Sequence, residues 1–432
     1  MLKLATLAAV SGLALLAAST SRAETVLIEN AHIYSEGSAG EIAHGSILVR
    51  DGKIAAIGSE FKAPPGVKRL DAEGRIVTPG LIVTGASVGL DEIEQVSPTQ
   101  DSGVEAGPLS AGLDLQYGLN PDSTVIPILR LTGATSAVAE PTLGREKAET
   151  HPQLFLGQAA GVSLDGQADM LIKPKIAMGL VGGEQGASLA GGSRAAFLVE
   201  LKAQLDEARA YAKARNGFSD SQALGLTRAD LEALIPVIEG REPLYVAVHR
   251  AADIRQMLKF AQDEHLKLIL AGAEEGWRVA GEIAAANVPV VIDGDEDLPS
   301  SFEALGSTLE NAARLQAAGV KISLHGPGLL TGGKTIRLAA GRAVAYGLPW
   351  GEALAAITIN PARAFGLAGE VGSLEVGKSA DIVVWDGDPL DTQGAPYAVL
   401  IKGERQALTS RQTALRDRYL KPDNGLPPQY RQ

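Results

Sequence analysis

Between Thr25 and about Ile76 the chain alternates apolar and polar positions in short runs, VLIENAHIY and then GSILVRDGKIAAIG. A period of two predicts strands with one buried face. Asp51-Gly52, inside the second run, predicts a hairpin turn. The pattern returns near the other end, where ADIVVWDGDP and YAVLIKGERQAL read as strands separated by Asp, Gly and Pro. The two ends are expected to pair into one small sheet. From residue 79 to about 372 the pattern differs: eight apolar strand-like runs, GLIVTG, ATSAVA, FLGQAA, KIAMGL, LYVAVH, KLILAG, VPVVID and VKISLH, alternate with helical periodicity. The clearest helical stretches are residues 194–215 and 251–265, with apolar positions three to four apart. This alternation predicts an α/β protein with a parallel sheet, and eight units predict a closed (β/α)8 TIM barrel carrying a small composite β-sandwich built from both chain ends. Chemistry in such a barrel sits at the C-terminal strand ends, here near Gly85, Ala139, Lys175, His249, Ala271, Asp293 and His325.

The first residues change the boundaries. Lys3 precedes an apolar run from Leu4 to Ala18, and Ser21-Arg22-Ala23 offers small residues at the −3 and −1 positions of a cleavage site. The run is too short for the roughly 20 residues of a spanning helix. The expected division is therefore a signal peptide over 1–23, the first β-part over 24–78, the barrel over 79–372, the second β-part over 373–410 and a C-terminal tail over 411–432, whose Pro-, Asn- and Gln-rich end, 422–432, is expected at the surface. The mature protein is expected to be soluble and periplasmic or secreted.

Composition narrows the chemistry. Of 432 residues, 39 are Lys or Arg and 51 Asp or Glu, and a net charge of −12 argues against nucleic acid and anionic membrane surfaces as partners. Loss of Lys3 and Arg22 with the leader takes the net charge to −14. Cysteine is absent, so any metal must use His, carboxylate or modified Lys.

His249 closes LYVAVH and His325 closes VKISLH, and imidazole serves as a metal ligand or as an acid or base near neutral pH. Satisfied polar side chains at strand ends are the alternative reading. The remaining histidines, His32, His44, His151 and His265, read as structural or exposed. Lys175, with Lys173 beside it, opens an apolar strand, where a buried amine has a lowered pKa and can react with carbon dioxide; a snorkelling or ion-paired Lys is the competing reading. Asp293, Asp295 and Asp297 resemble the start of a calcium loop, but Leu298 and Ala304 stand where its Gly and Glu belong. Residues 328–335 fit the phosphate-loop pattern, yet too little chain follows for a nucleotide-binding domain, and Lys334 reads as opening an ordinary helix. The Gly-rich stretch 182–192 reads as a mobile loop at the barrel mouth.

The segments VLIENAHIY, GSILVRDGKIAAIG, RIVTPGLIV, TINPARAFGL and VGSLEVGKSADIVVWDGDPL, in this order, resemble the amidohydrolase superfamily, in particular its imidazolonepropionase-like branch. The resemblance implies a hydrolase of non-peptide carbon–nitrogen bonds, with one or two divalent metals, often Zn, activating a water. It also implies ligands from an H-x-H pair after strand 1, a Lys or Glu on strand 4, a His on each of strands 5 and 6, and an Asp after strand 8. By this resemblance His249 is the strand-5 metal ligand, Lys175 the bridging ligand and a catalytic group, and His325 a catalytic recruit. Gly85 and Ser87 stand at the H-x-H positions, Ala271 or Gly272 at the strand-6 His, and Pro327 at the Asp. Two functions follow as expectations: a C–N hydrolase with a reduced site, helped by Asp91, Glu92 or Asp101, or a catalytically silent barrel that binds a small ligand or pairs with a related active amidohydrolase. A metal-free base, His325 or Asp293, is a third route.

Overall fold

The two ends of the chain meet in one sheet. The computed structural model describes residues 25–59, 64–93, 96–144, 153–214, 225–328 and 332–420; the expected leader and the distal tail lie outside them. Strands β1 (Val26–Tyr34), β2 (Glu41–Arg50), β3 (Lys53–Gly58), β4 (Lys68–Asp71) and β5 (Ile76–Pro79) are followed by β6 (Leu81–Ala86), β7 (Ala134–Ala139), β8 (Phe155–Gln158), β9 (Ala160–Ser163), β10 (Leu171–Lys173) and β11 (Met178–Leu180). Then come β12 (Leu244–Val248), β13 (Leu268–Gly272), β14 (Val290–Asp293), β15 (Ile322–His325), β16 (Ile382–Asp386), β17 (Ala395–Ile401) and β18 (Glu404–Arg405). The first sheet has the order β18-β17-β16-β5-β1-β2-β3, with β4 beside β1. Asp51 (φ 50°) and Gly52 (φ 75°) make the expected tight hairpin between β2 and β3, both in the left-handed region that this turn requires.

Alternation along β16 explains how that sheet docks. Ile382 and Val384 join a core with Ile28, Ile33 and Ile47, whereas Val383 and Trp385 join the core of the central region. Trp385 is fully buried, donates its indole N–H to Thr78 Oγ1 at 2.8 Å, and leaves Gly133 no room for a Cβ, which would lie 2.4 Å from the ring.

All eight central apolar runs form strands, in two arcs rather than one continuous hydrogen-bonded ring: β10-β9-β7-β6 and β15-β14-β13-β12-β11-β8. The seam between β15 and β6 is bridged by the backbone at residues 356–357, with Leu324 N donating to Ala356 O (3.0 Å) and Ile82 N to Ile357 O (2.9 Å). Pairing from β11 through β15 is parallel throughout. The third run departs from expectation. It breaks at Ala159 into β8 and β9 and runs antiparallel to both neighbours, β11 and β7. Its exit is a hairpin into β10, again antiparallel, so no crossover helix reverses the chain between β9 and β11.

Helix Arg194–Lys213 starts at a Ser193 cap and helix Ala251–Glu264 ends at His265 in the left-handed conformation. Both begin where the periodicity predicted, and residue 215 lies outside the described residues. The Gly-rich stretch expected to be a mobile loop instead forms helix Gly183–Leu189. Lys334 stands in the first turn of helix Gly332–Ala345, and residues 329–331 of the phosphate-loop pattern fall outside the described set. Among the described residues no helix is long and apolar enough to cross a membrane.

Candidate functional site

Parallel strands β12 to β15 deliver their C-terminal residues to one mouth, and His249 emerges directly after β12. Its Nδ1 lies 2.5 Å from Glu274 Oε2 and its Nε2 lies 3.8 Å from Glu303 Oε1. Gly272 (φ 76°) permits this contact: a Cβ there would stand 2.5 Å from Nδ1. Burial pulls the His249 pKa down, but Glu274, Glu303 and Asp253 outweigh it, and the net shift is upward. Glu274 thereby fixes the Nδ1 proton and leaves Nε2 facing the mouth.

Glu303 is itself pinned. Its Oε2 accepts from Glu184 N (2.8 Å) and from Arg194 Nη2 (3.1 Å), and a Cβ at Gly183 (φ 58°) would lie 2.8 Å from that oxygen. This contact explains why the Gly-rich segment is ordered as a helix at the mouth. Arg194 also pairs with Asp253 (2.8 Å), which Arg250 shares. A cavity of about 410 Å³ opens beside these groups, lined by Phe197, Leu198 and Met257 on its apolar side and by Arg194, Arg250 and Asp253 on its polar side.

On the opposite wall His325 ends β15, with Nδ1 2.8 Å from Gly326 O. Its ring lies against the backbone of Gly85, where a Cβ would sit 2.9 Å from the imidazole; Gly85 also has φ 66°. Gly85 N donates to Glu140 Oε1 at 2.7 Å. Burial raises Glu140 to about 7, partly opposed by hydrogen bonds from Gly85 and Tyr245, and Tyr245 is pushed well above its usual value by the same burial. Asp293 pairs in register with His325, and its Oδ1 accepts from Asp295 N (2.8 Å), closing a local turn. Asp295 lies 3.2 Å from Arg342, and burial raises both Asp295 and Glu296.

The sequence-predicted residues separate. His249 and His325 share the C-terminal mouth. Lys175 does not: it precedes β11, while His249 follows the far end of the neighbouring β12, so the five residues of that strand alone put about 17 Å between them at roughly 3.3 Å per residue. Lys175 is half exposed and lies 3.4 Å from Asp114, which corrects its assignment as a bridging or catalytic lysine in a buried strand position. Residues 178–183 of strand 4, Met-Gly-Leu-Val-Gly-Gly, carry no substitute ligand. Asp91 accepts from Asp101 N and from Ser102 N and Oγ, while Glu92 accepts from Asn120 Nδ2 and from Thr124 N and Oγ1, so these carboxylates brace loops. His32 pairs with Glu41 (2.7 Å), and His151 lies outside the described residues. Sequence reasoning missed Glu140, Glu274 and Glu303. Only Glu140 carried a signal, a carboxylate directly after the apolar run ATSAVA.

The donor set does not fit the family's metal. Gly85 has no side chain, the Ser87 hydroxyl is buried without a hydrogen-bond partner, and Lys175 is at the other end of the strands. Among the described residues no group of three or more His, Asp or Glu side chains has metal-holding geometry, whereas a zinc site takes three or four protein ligands.

The family model for the amidohydrolase family matches residues 199–409. The amidohydrolase tasK of Hapsidospora irregularis is 23% identical over 392 residues, covering 84% of this chain, which spans only 40% of that relative's length. An imidazolonepropionase of Brucella anthropi is 24% identical over 416 residues, 83% of this chain and 92% of the relative. The crystal structure of an amidohydrolase from Thermotoga maritima MSB8 has a similar fold, with a TM-score of 0.76, 22% identity and coverage of 88% of this chain and 99% of that one. The fold is of TIM-barrel type, and residues 199–409 match the amidohydrolase family. Over most of its length the sequence is similar to imidazolonepropionases, at 24–25% identity.

Proposed function

We propose that this protein is an exported ligand-binding barrel of the amidohydrolase superfamily, in which the C-terminal mouth receives a small molecule instead of assembling the family's metal centre. One observation carries this reading: the His325 ring occupies the space into which a strand-1 ligand side chain at position 85 would project. The cavity beside His249 has the size of a small-molecule site, and its lining suits an apolar body with a polar end directed at Arg194 and Arg250. The family's carbon–nitrogen hydrolysis passes to this chain only by resemblance. The apolar run ending at Ala18 and the site before Glu24 support export, with the two-ended β-part and the barrel as the mature working unit.

A second reading, hydrolysis without the family donor set, is favoured by the His249–Glu274 contact. With Nδ1 tied to the carboxylate, Nε2 would take a proton from a water attacking an amide carbon and return it to the departing amine. Elemental mass spectrometry separates these readings from the family mechanism. The mature protein, incubated with Zn and bicarbonate, is expected to retain no stoichiometric metal. Near-stoichiometric metal in the wild type that disappears in His249→Ala would overturn the proposal. Turnover of amide or cyclic-imide substrates that His249→Ala abolishes, without metal, would select the second reading.

A further inference from the structure

The opposite end of the strands carries a feature that the mouth chemistry does not use. An open depression of about 760 Å³ lies at their N-terminal ends, and six cations line it: Lys173, Lys175, Arg241, Lys267, Lys321 and Arg363. No carboxylate lines it. These residues come from separate places in the chain, the end of β10, before β11, before β12, before β13, before β15 and from helix Ile359–Ala364, so only the fold brings them together. In a chain of net charge −12 this is a local reversal of sign. Part of it is neutralised: Lys175 by Asp114, Arg241 by Glu239, while Lys173 donates to Gly366 O. Lys267, Lys321 and Arg363 form no ion pair or hydrogen bond with a side chain among the described residues. Glu36, which Arg363 pulls downward, is raised to about 7 by burial and by Glu352, and Glu242, at the edge, is raised to about 8, chiefly by burial, against the pull of Lys175 and Arg241. Burial thus biases both carboxyls toward their neutral forms and weakens their answer to the positive charge near neutral pH. Beneath the cations the lining is apolar, with Ile176, Leu268, Ile269, Val320 and Phe365 nearly excluded from solvent.

We propose that this N-terminal depression is a second binding site, for a small organic polyanion: an apolar body carrying two or more carboxylate, sulfate or phosphate groups. The apolar floor takes the body, and Lys267, Lys321 and Arg363 take the charges that no protein carboxylate answers. A concave site of this volume, with separated cations around an apolar floor, matches a small molecule. The proposal is independent of what the C-terminal mouth binds.

The test uses the mature protein and pyranine, a fluorescent aromatic trisulfonate, followed by polarisation at low ionic strength. The expected result is saturable binding at one site per chain, displaced by citrate or inorganic triphosphate and weakened at least tenfold by raising salt from 20 to 200 mM, values chosen as about 20 Å and about 7 Å of screening length. Lys267→Glu with Lys321→Glu should abolish it, whereas Arg250→Glu, at the other mouth, should leave it unchanged. The milder pair Lys267→Gln with Lys321→Gln should weaken binding at least threefold with an unshifted melting temperature, which separates lost binding from lost folding. Absence of saturable binding, binding indifferent to both double substitutions, or binding lost in Arg250→Glu instead would each overturn the proposal.

Discussion

The strands on the two sides of β11 have followed different courses. From β12 to β15 the ladder is uniformly parallel, the family model covers it within residues 199–409, and the C-terminal ends carry His249, Asp293 and His325. From β6 to β11 the third run is antiparallel to its neighbours, the family model does not reach, and the strand ends carry Gly85, Ser87, the buried Glu140 and glycines. A metal site draws ligands from both sides, and donors are missing on both, at Gly85 and Ser87 on one and at Ala271, Gly272 and Pro327 on the other, so the uniformly parallel side keeps the strand course but, of its expected ligands, only His249. A recognisable strand ladder is therefore weak evidence for the family's chemistry.

The sharpest attack on this comparison is to restore a missing donor. Gly85→His should destabilise the protein by about 3 kcal/mol in urea unfolding, because the side chain meets His325 and the backbone has a positive φ. Stable Zn binding in that variant, with unchanged unfolding, would show that this donor position is easily rebuilt. Next in size is a pH effect. The folded Glu140 is raised to about 7 from an ordinary 4.5, so between those values the folded state binds a proton that the unfolded chain has released. Stability from this group is present below pH 4.5 and is lost as pH rises through 7, by up to about 3 kcal/mol. Glu36 and Glu242 act in the same direction, and Glu140→Gln should flatten the fall in the urea midpoint between pH 5 and 8. A midpoint that rises over that range would contradict the buried carboxyl linking β6 and β7 to Tyr245.

How far the chain could be read without coordinates differs between the two sides in the same way. Apolar runs of four to six residues located all eight central strands, and the period of two located the two-ended sheet and its Asp51-Gly52 turn. Direction was not encoded in those runs: FLGQAA looks like any other buried strand, and its reversal depends on the hairpin into β10. Lys175 misled because a residue before a strand and a residue after one look alike in sequence, though they stand at opposite ends of it. Glu274 and Glu303 belong to loops without a motif, and only folding brings them to His249.

Two smaller effects sharpen the contrast at individual residues. Glu274→Gln should lower the His249 titration followed by NMR, because the carboxylate is the leading influence raising it against burial. In the wild type that raised pKa gives stability below pH 6.5 that disappears as pH climbs through the folded value. Lys175→Ala should change stability by less than about 0.5 kcal/mol, since its amine is half exposed and its pair with Asp114 is long. It should leave the His249 titration where it was. A coupled response would contradict their placement at opposite ends of the strands.

The hydrogen bond from Trp385 to Thr78 joins residues 307 positions apart in the chain. During synthesis β5 must wait for β16, so the amino-terminal ladder stays incomplete until nearly the whole polypeptide has emerged. Such long-range pairing folds slowly and leaves a strand edge exposed meanwhile. A chain that cannot close early keeps its amino-terminal strands unsealed, with backbone groups open to water or to other chains, until its last strands arrive.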